Sequence, residues 1–149
     1  MALLFATLLL AGCGEGEKKA ERSPVRSGPS PRAVIRAWVD TLRTGDTRAA
    51  AAYFALPSLV SNGTGPIYLH NRAQARRFNQ SLPCGAILER TYRQGRYTVA
   101  VFRLTERPGP GRCGSGTGDS ARTAFVVREG KIREWRRLAD PQPPPAPVV

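Results

Sequence analysis

The chain has 149 residues, a mass of 16.2 kDa and a formal net charge of +12, from 23 basic and 11 acidic residues. That length holds one domain with a modest core, and no internal repeat is visible, which excludes a multidomain machine and a repeat array. A single histidine excludes multi-histidine metal centres, and no motif in the sequence implies a cofactor.

All the basic residues except Lys18, Lys19 and Lys131 are arginines. Two readings of that bias stay open. One is a high-GC genome, in which arginine codons displace lysine codons; the other is a preference for anionic partners such as lipid headgroups, cell-wall polyanions or acidic ligands. Nucleic acid is not an expected partner, because the basic residues are scattered along the chain.

From Leu3 to Leu10 the chain is apolar apart from Thr7, and Leu10-Ala11-Gly12-Cys13 then leads into a polar stretch. The run is too short for a bilayer-spanning helix, which takes roughly 20 residues, and suits a cleaved secretory signal. It resembles the bacterial lipoprotein signal, whose lipobox reads Leu, small, small, Cys. The resemblance implies a signal over 1–13, a diacylglyceryl thioether on Cys13 and attachment to the extracytoplasmic face of the cell membrane. Two or three acyl chains make such attachment lasting. The alternative is an ordinary thiol in a buried apolar helix. No Lys or Arg precedes the run, as expected if translation starts upstream.

Residues 14–30 offer almost nothing to bury and read as a disordered tether. As a flexible coil it spans on the order of 20–25 Å. At the other end, 139–149 is proline-rich without a core pattern and reads as a disordered tail. The folded domain is expected over 31–138.

Within it, Ser30 suits an N-cap and Pro31 the first helical position. Ile35, Trp38, Val39 and Leu42 then form one apolar helical stripe that Gly45 stops. Asp46 caps a second expected helix, through the alanine run to Phe54 and ended by Pro57. A loop rich in Ser, Asn and Gly follows. Asn71 caps a third helix, Arg72 to Phe78.

Beyond Cys84 the pattern predicts two hairpins: Ala86–Arg93 with Arg96–Glu106 around Gln94-Gly95, and Ala121–Arg128 with Lys131–Leu138 around Glu129-Gly130. Two-residue turns would pair Leu88 with Val101 and Arg90 with Val99 on one face, and Ile87 with Phe102 on the other. Both faces carry apolar residues. Helices are expected over one, and a second copy of the chain over the other.

With Cys13 assigned to lipid, Cys84 and Cys113 remain as an even pair at one end of the expected sheet and read as a structural disulfide, against the alternative of a redox or metal pair. A bridge between them closes a loop worth about 3.5 kcal/mol in the chain-entropy model. The segment 109–118 is glycine-rich but lacks the Gly-Lys-Ser/Thr ending of a phosphate loop, so it reads as a loop held by Cys113.

Trp38-Val39-Asp40-Thr41-Leu42 leading into Gly45-Asp46, Tyr53-Phe54, the segment Arg72 to Phe78 and the closing Gly130-Lys131-Ile132-Arg133-Glu134-Trp135 together resemble the SnoaL-like branch of the nuclear transport factor 2 superfamily. The resemblance implies an α+β, cone-like fold, with N-terminal helices packed on a curved antiparallel sheet around a pocket. Some members are isomerases, dehydratases or cyclases that use an Asp or His base, and many are not enzymes.

Asp40 and His70 are the weak catalytic candidates, against the alternatives of a solvated helix charge and a loop residue. Glu89 and Glu134 fit surface ion pairs better. Trp38, Tyr53, Phe54 and Trp135 are candidates to line a ligand pocket or to fill the core. The sequence therefore favours a non-catalytic domain that binds a small apolar or anionic ligand, or an envelope partner. An enzyme using a pocket acid or imidazole and a scaffold associating through its sheet are the alternatives.

Overall fold

The computed structural model describes residues 28–140. The expected signal segment with Cys13, the tether through residue 27 and the tail from residue 141 lie outside the described residues. The elements run α1 (Pro31–Arg43), α2 (Thr47–Ala51), β1 (Phe54–Ser61), β2 (Ile67–Leu69), α3 (Arg72–Ser81), β3 (Gly85–Gln94), β4 (Tyr97–Thr105), β5 (Ser120–Arg128) and β6 (Lys131–Arg137). Six strands form one sheet in the order β2-β1-β6-β5-β4-β3. The fold is α+β, with few helices packed on a curved mixed sheet; β1 and β6 run parallel, so the sheet is not wholly antiparallel as expected.

The three helices start where capping chemistry places them. Ser30 Oγ accepts from the N–H of Ala33 at 3.2 Å, Asp46 Oδ1 from Ala49 at 2.9 Å and Asn71 Oδ1 from Gln74 at 2.9 Å. Each such cap is worth about 1 kcal/mol. Helix α1 buries Val34, Ile35, Trp38, Val39 and Leu42 against the sheet.

Helix ends are closed by distant cations. The Arg107 guanidinium, 7% exposed, donates to the carbonyls of Asn79 at 3.2 Å, Gln80 at 3.2 Å and Leu82 at 2.5 and 2.9 Å, so it terminates α3. Burial pushes its pKa down, and the favourable end of the helix dipole offsets part of that cost. Arg72 likewise donates to the carbonyls of Ala51 and Phe54 at 2.7 Å, where α2 ends.

The second helix is shorter than expected, and Phe54 opens a strand. Tertiary pairing overrides the helical alanine run here: Ile132 donates to the Tyr53 carbonyl at 2.8 Å, and Phe54 then pairs with Ile132. Pro57 falls in the irregular stretch between Phe54 and Leu59, where its missing N–H breaks no ladder bond. Most of the expected loop after it is strand as well. Only residues 62–66 turn between β1 and β2, and Val60 pairs with Ile67.

Around Glu129-Gly130 the second hairpin turns as expected, with φ of 52° and 70° and Arg128 opposite Lys131. The first hairpin differs. Its two-residue loop is Gly95-Arg96, with Gln94 opposite Tyr97 and Gly95 at φ 56°. An irregularity at Glu89 then places Leu88 opposite Phe102 on the core face and Arg90 opposite Val101 on the other. Ile87 faces Arg103.

Trp38 sits among the core aromatics, edge-on to Phe54, Phe102 and Phe125 at centroid distances of 6.1, 6.5 and 5.7 Å. Its indole N–H donates to Asn79 Oδ1 at 2.9 Å, and Asn79 Nδ2 donates to the Ala75 carbonyl at 2.8 Å.

Candidate functional site

A cavity of about 170 Å³ lies between α1, residues 82–84 and the core face of β4 to β6. Its floor is apolar: Trp38, Val39 and Leu42 from α1, Phe102 and Leu104 from β4, Ala121 from β5 and Trp135 from β6. Leu82, Pro83, Cys84 and Ala86 form a wall, and Asn62, Thr123 and Arg137 add the polar groups. An apolar cavity of about 150 Å³ holds one benzene ring. This cavity therefore suits a single ring or a short acyl chain.

Strand alternation sets the mouth. Arg137 stands two residues after Trp135, on the same face of β6, and pairs with Thr123 across β5. Its side chain is 26% exposed, and its Nη2 lies 3.3 and 3.5 Å from the carboxylate oxygens of Asp140. Trp135 is 4% exposed, and its indole N–H has no partner, unlike that of Trp38.

The wall includes a covalent staple. Cys84 and Cys113 form a disulfide, and the loop carrying Cys113 is also gripped by Glu106. That carboxylate accepts from the N–H of Gly114 at 2.9 Å and of Cys113 at 3.2 Å, and from Thr117 Oγ1 at 3.2 Å. The bonds from Gly114 and Cys113 hold the Glu106 carboxyl below its ordinary pKa.

Of the four aromatic candidates, Trp38 and Trp135 line the cavity and the other two do not. Phe54 is fully buried, edge-on to Phe78 at 5.7 Å, and Tyr53 packs at the margin of the core. Asp40 does not reach the cavity either; it is 49% exposed and lies 3.7 Å from Arg43. His70 is exposed and is not among the lining residues, its ring 6.0 Å from that of Tyr68. Glu89 pairs with Arg103 at 3.5 Å, and Glu134 with Arg96 at 2.6 Å and Arg136 at 3.1 Å.

No Asp, Glu, His or Tyr is among the residues lining the cavity. Among the described residues the lining offers polar groups and an apolar floor but no acid or imidazole of the kind acid–base catalysis uses. Sequence reasoning missed Arg137 and Thr123, although a strand residue two places from Trp135 must share its face. A second recess, about 360 Å³ between β2 and α3, is bordered by exposed residues, including Ile67 and Tyr68. A ligand there would stay largely wet.

Among the described residues no group of three metal-ligating side chains occurs, and no helix is long and apolar enough to cross a membrane. No protein-family model and no curated protein matches the sequence. Solved structures do match the fold. A nuclear transport factor 2-like protein of unknown function from Cytophaga hutchinsonii superposes with a TM-score of 0.57 at 11% identity, over 78% of this chain and 95% of that one. A protein assigned as a ketosteroid isomerase from Kribbella flavida gives 0.52 at 23% identity, over 77% and 82%. A protein of ketosteroid isomerase-like fold from Catenulispora acidiphila, in complex with trimethylamine, gives 0.52 at 15% identity, over 76% and 87%. These likenesses show a nuclear transport factor 2-like fold.

Proposed function

We propose that this chain is a membrane-anchored, extracytoplasmic binding domain that takes a small, mainly apolar ligand into the cavity between α1 and the sheet. The observation that carries the reading is the cavity itself: large enough for one ring, floored by two tryptophans and a phenylalanine, and without an acid or imidazole in its lining. The isomerase, dehydratase or cyclase alternative draws on the fold of its neighbours. It would need Asp40 or His70 at the cavity, and both lie elsewhere.

The anchor rests on the lipobox-like Leu10-Ala11-Gly12-Cys13. A homodimer through the sheet rests on the face away from α1, where Ile87 is 38% exposed although Val99, Val101 and Val126 are already buried within the chain. Sedimentation of the purified chain tests that association, and a monomer at all concentrations overturns it.

Native mass spectrometry of the chain purified from its own host tests the binding reading. A co-purifying small molecule, lost in an Ala121→Leu variant that fills the floor, is the expected result. A molecule that stays on that variant would place binding elsewhere.

A further inference from the structure

We infer that the ligand of this cavity is an acid, its anionic head held at the mouth by Arg137 and its apolar body on the tryptophan floor. The inference rests on the cavity-binding reading above and adds the chemical class. Three observations carry it. Arg137 is the only charged residue among the described residues that line the cavity, and its charge is positive. The neutral polar side chains that line the cavity with it are those of Asn62 and Thr123. No lining carboxylate would repel an anion or neutralise the guanidinium from within.

Asp140 sharpens the assignment. Its carboxylate oxygens, 3.3 and 3.5 Å from Arg137 Nη2, already occupy the kind of position an acid head would take, yet Asp140 is 61% exposed and long in its contacts. Such an exposed pair is weakly held. An incoming carboxylate can replace it with a shorter, bidentate geometry that suits guanidinium. Asp140 is thus a competitor for the site, and removing its charge strengthens binding.

The test uses three ligands of one shape and different head: 3-phenylpropionate, 3-phenylpropan-1-ol and 3-phenylpropylammonium, titrated calorimetrically into the full chain. The acid is expected to bind about ten-fold more tightly than the alcohol, the scale of one charge-assisted hydrogen bond, and the ammonium more weakly than either. Arg137→Gln should erase the difference between acid and alcohol while keeping the alcohol's affinity. Asp140→Asn should raise the acid's affinity several-fold and leave the alcohol unchanged.

Arg128→Gln is the control, since it removes the same charge from the exposed hairpin end. If it weakens the acid as much as Arg137→Gln, the preference belongs to the whole basic surface and the inference fails. Equal affinities of acid and alcohol for the unaltered chain overturn the acid assignment and leave the cavity reading standing. If none of the three binds, both fall.

Discussion

Trp38 and Asn79 are joined by a 2.9 Å hydrogen bond in a region where both residues are almost wholly buried. That bond lets a tryptophan occupy the middle of the core with its one polar atom satisfied, and it ties α1 to α3. Asn79→Leu keeps most of the volume and leaves the indole N–H unpaired. The expected cost is about 1–3 kcal/mol, read from the urea midpoint, and an unchanged midpoint would show that the bond contributes nothing net.

The disulfide should matter both to stability and to the cavity wall. Cys84→Ser together with Cys113→Ser is expected to lower the unfolding free energy by about 3 kcal/mol. The same loss should follow from reductant in the unaltered chain and should be absent when reductant is added to the double variant.

Glu106 gives the loop a dependence on pH. Its folded pKa lies below the unfolded value because the amides of Gly114 and Cys113 favour the charged form. The stabilisation is therefore fully present above the ordinary carboxylate pKa of about 4.3, and it is lost as the pH falls through the depressed folded value. Amide chemical shifts of Cys113 and Gly114 should move together in that acid range. In Glu106→Gln that common transition should disappear; its persistence would assign it to another group.

Filling the cavity separates packing from binding. Ala121→Leu places new apolar atoms into space that no protein atom occupies, so thermal stability should hold or rise, by about 0.5–1 kcal/mol. A loss above about 2 kcal/mol would mean that the floor around Ala121 is already full.

Cys13→Ser should release the chain from membranes into the soluble fraction of its host. Retention of the variant on membranes would remove the lipid anchor from the account.

The helices and their caps were legible because each begins with a side-chain acceptor before an apolar stripe, as at Ser30 and Asn71. The cysteine pair was legible by count. Phe54 misled because Tyr53-Phe54 continues the alanine run of α2 without a break in composition; only its pairing to Ile132, almost eighty residues later, makes it a strand. The first hairpin misled for a smaller reason. Gly95 serves either place of a two-residue turn, and the irregularity at Glu89 leaves no mark in the residue pattern. The cavity floor was half visible in Trp38 and Trp135. Its mouth was not, because Arg137 reads as one more arginine in a basic chain until strand β6 fixes which way it faces.

Arg107 reaches the carbonyl of Leu82, and Leu82 begins the cavity wall that runs through Pro83 into the Cys84 bridge. Three unrelated forces, a guanidinium on a helix end, a covalent bond and a carboxylate on a loop, thus converge on one short stretch of rim. The wall is a rigid template whose shape is set when the chain folds, so a guest loses little freedom to loops closing around it. Selection among guests then follows shape and charge at the aperture.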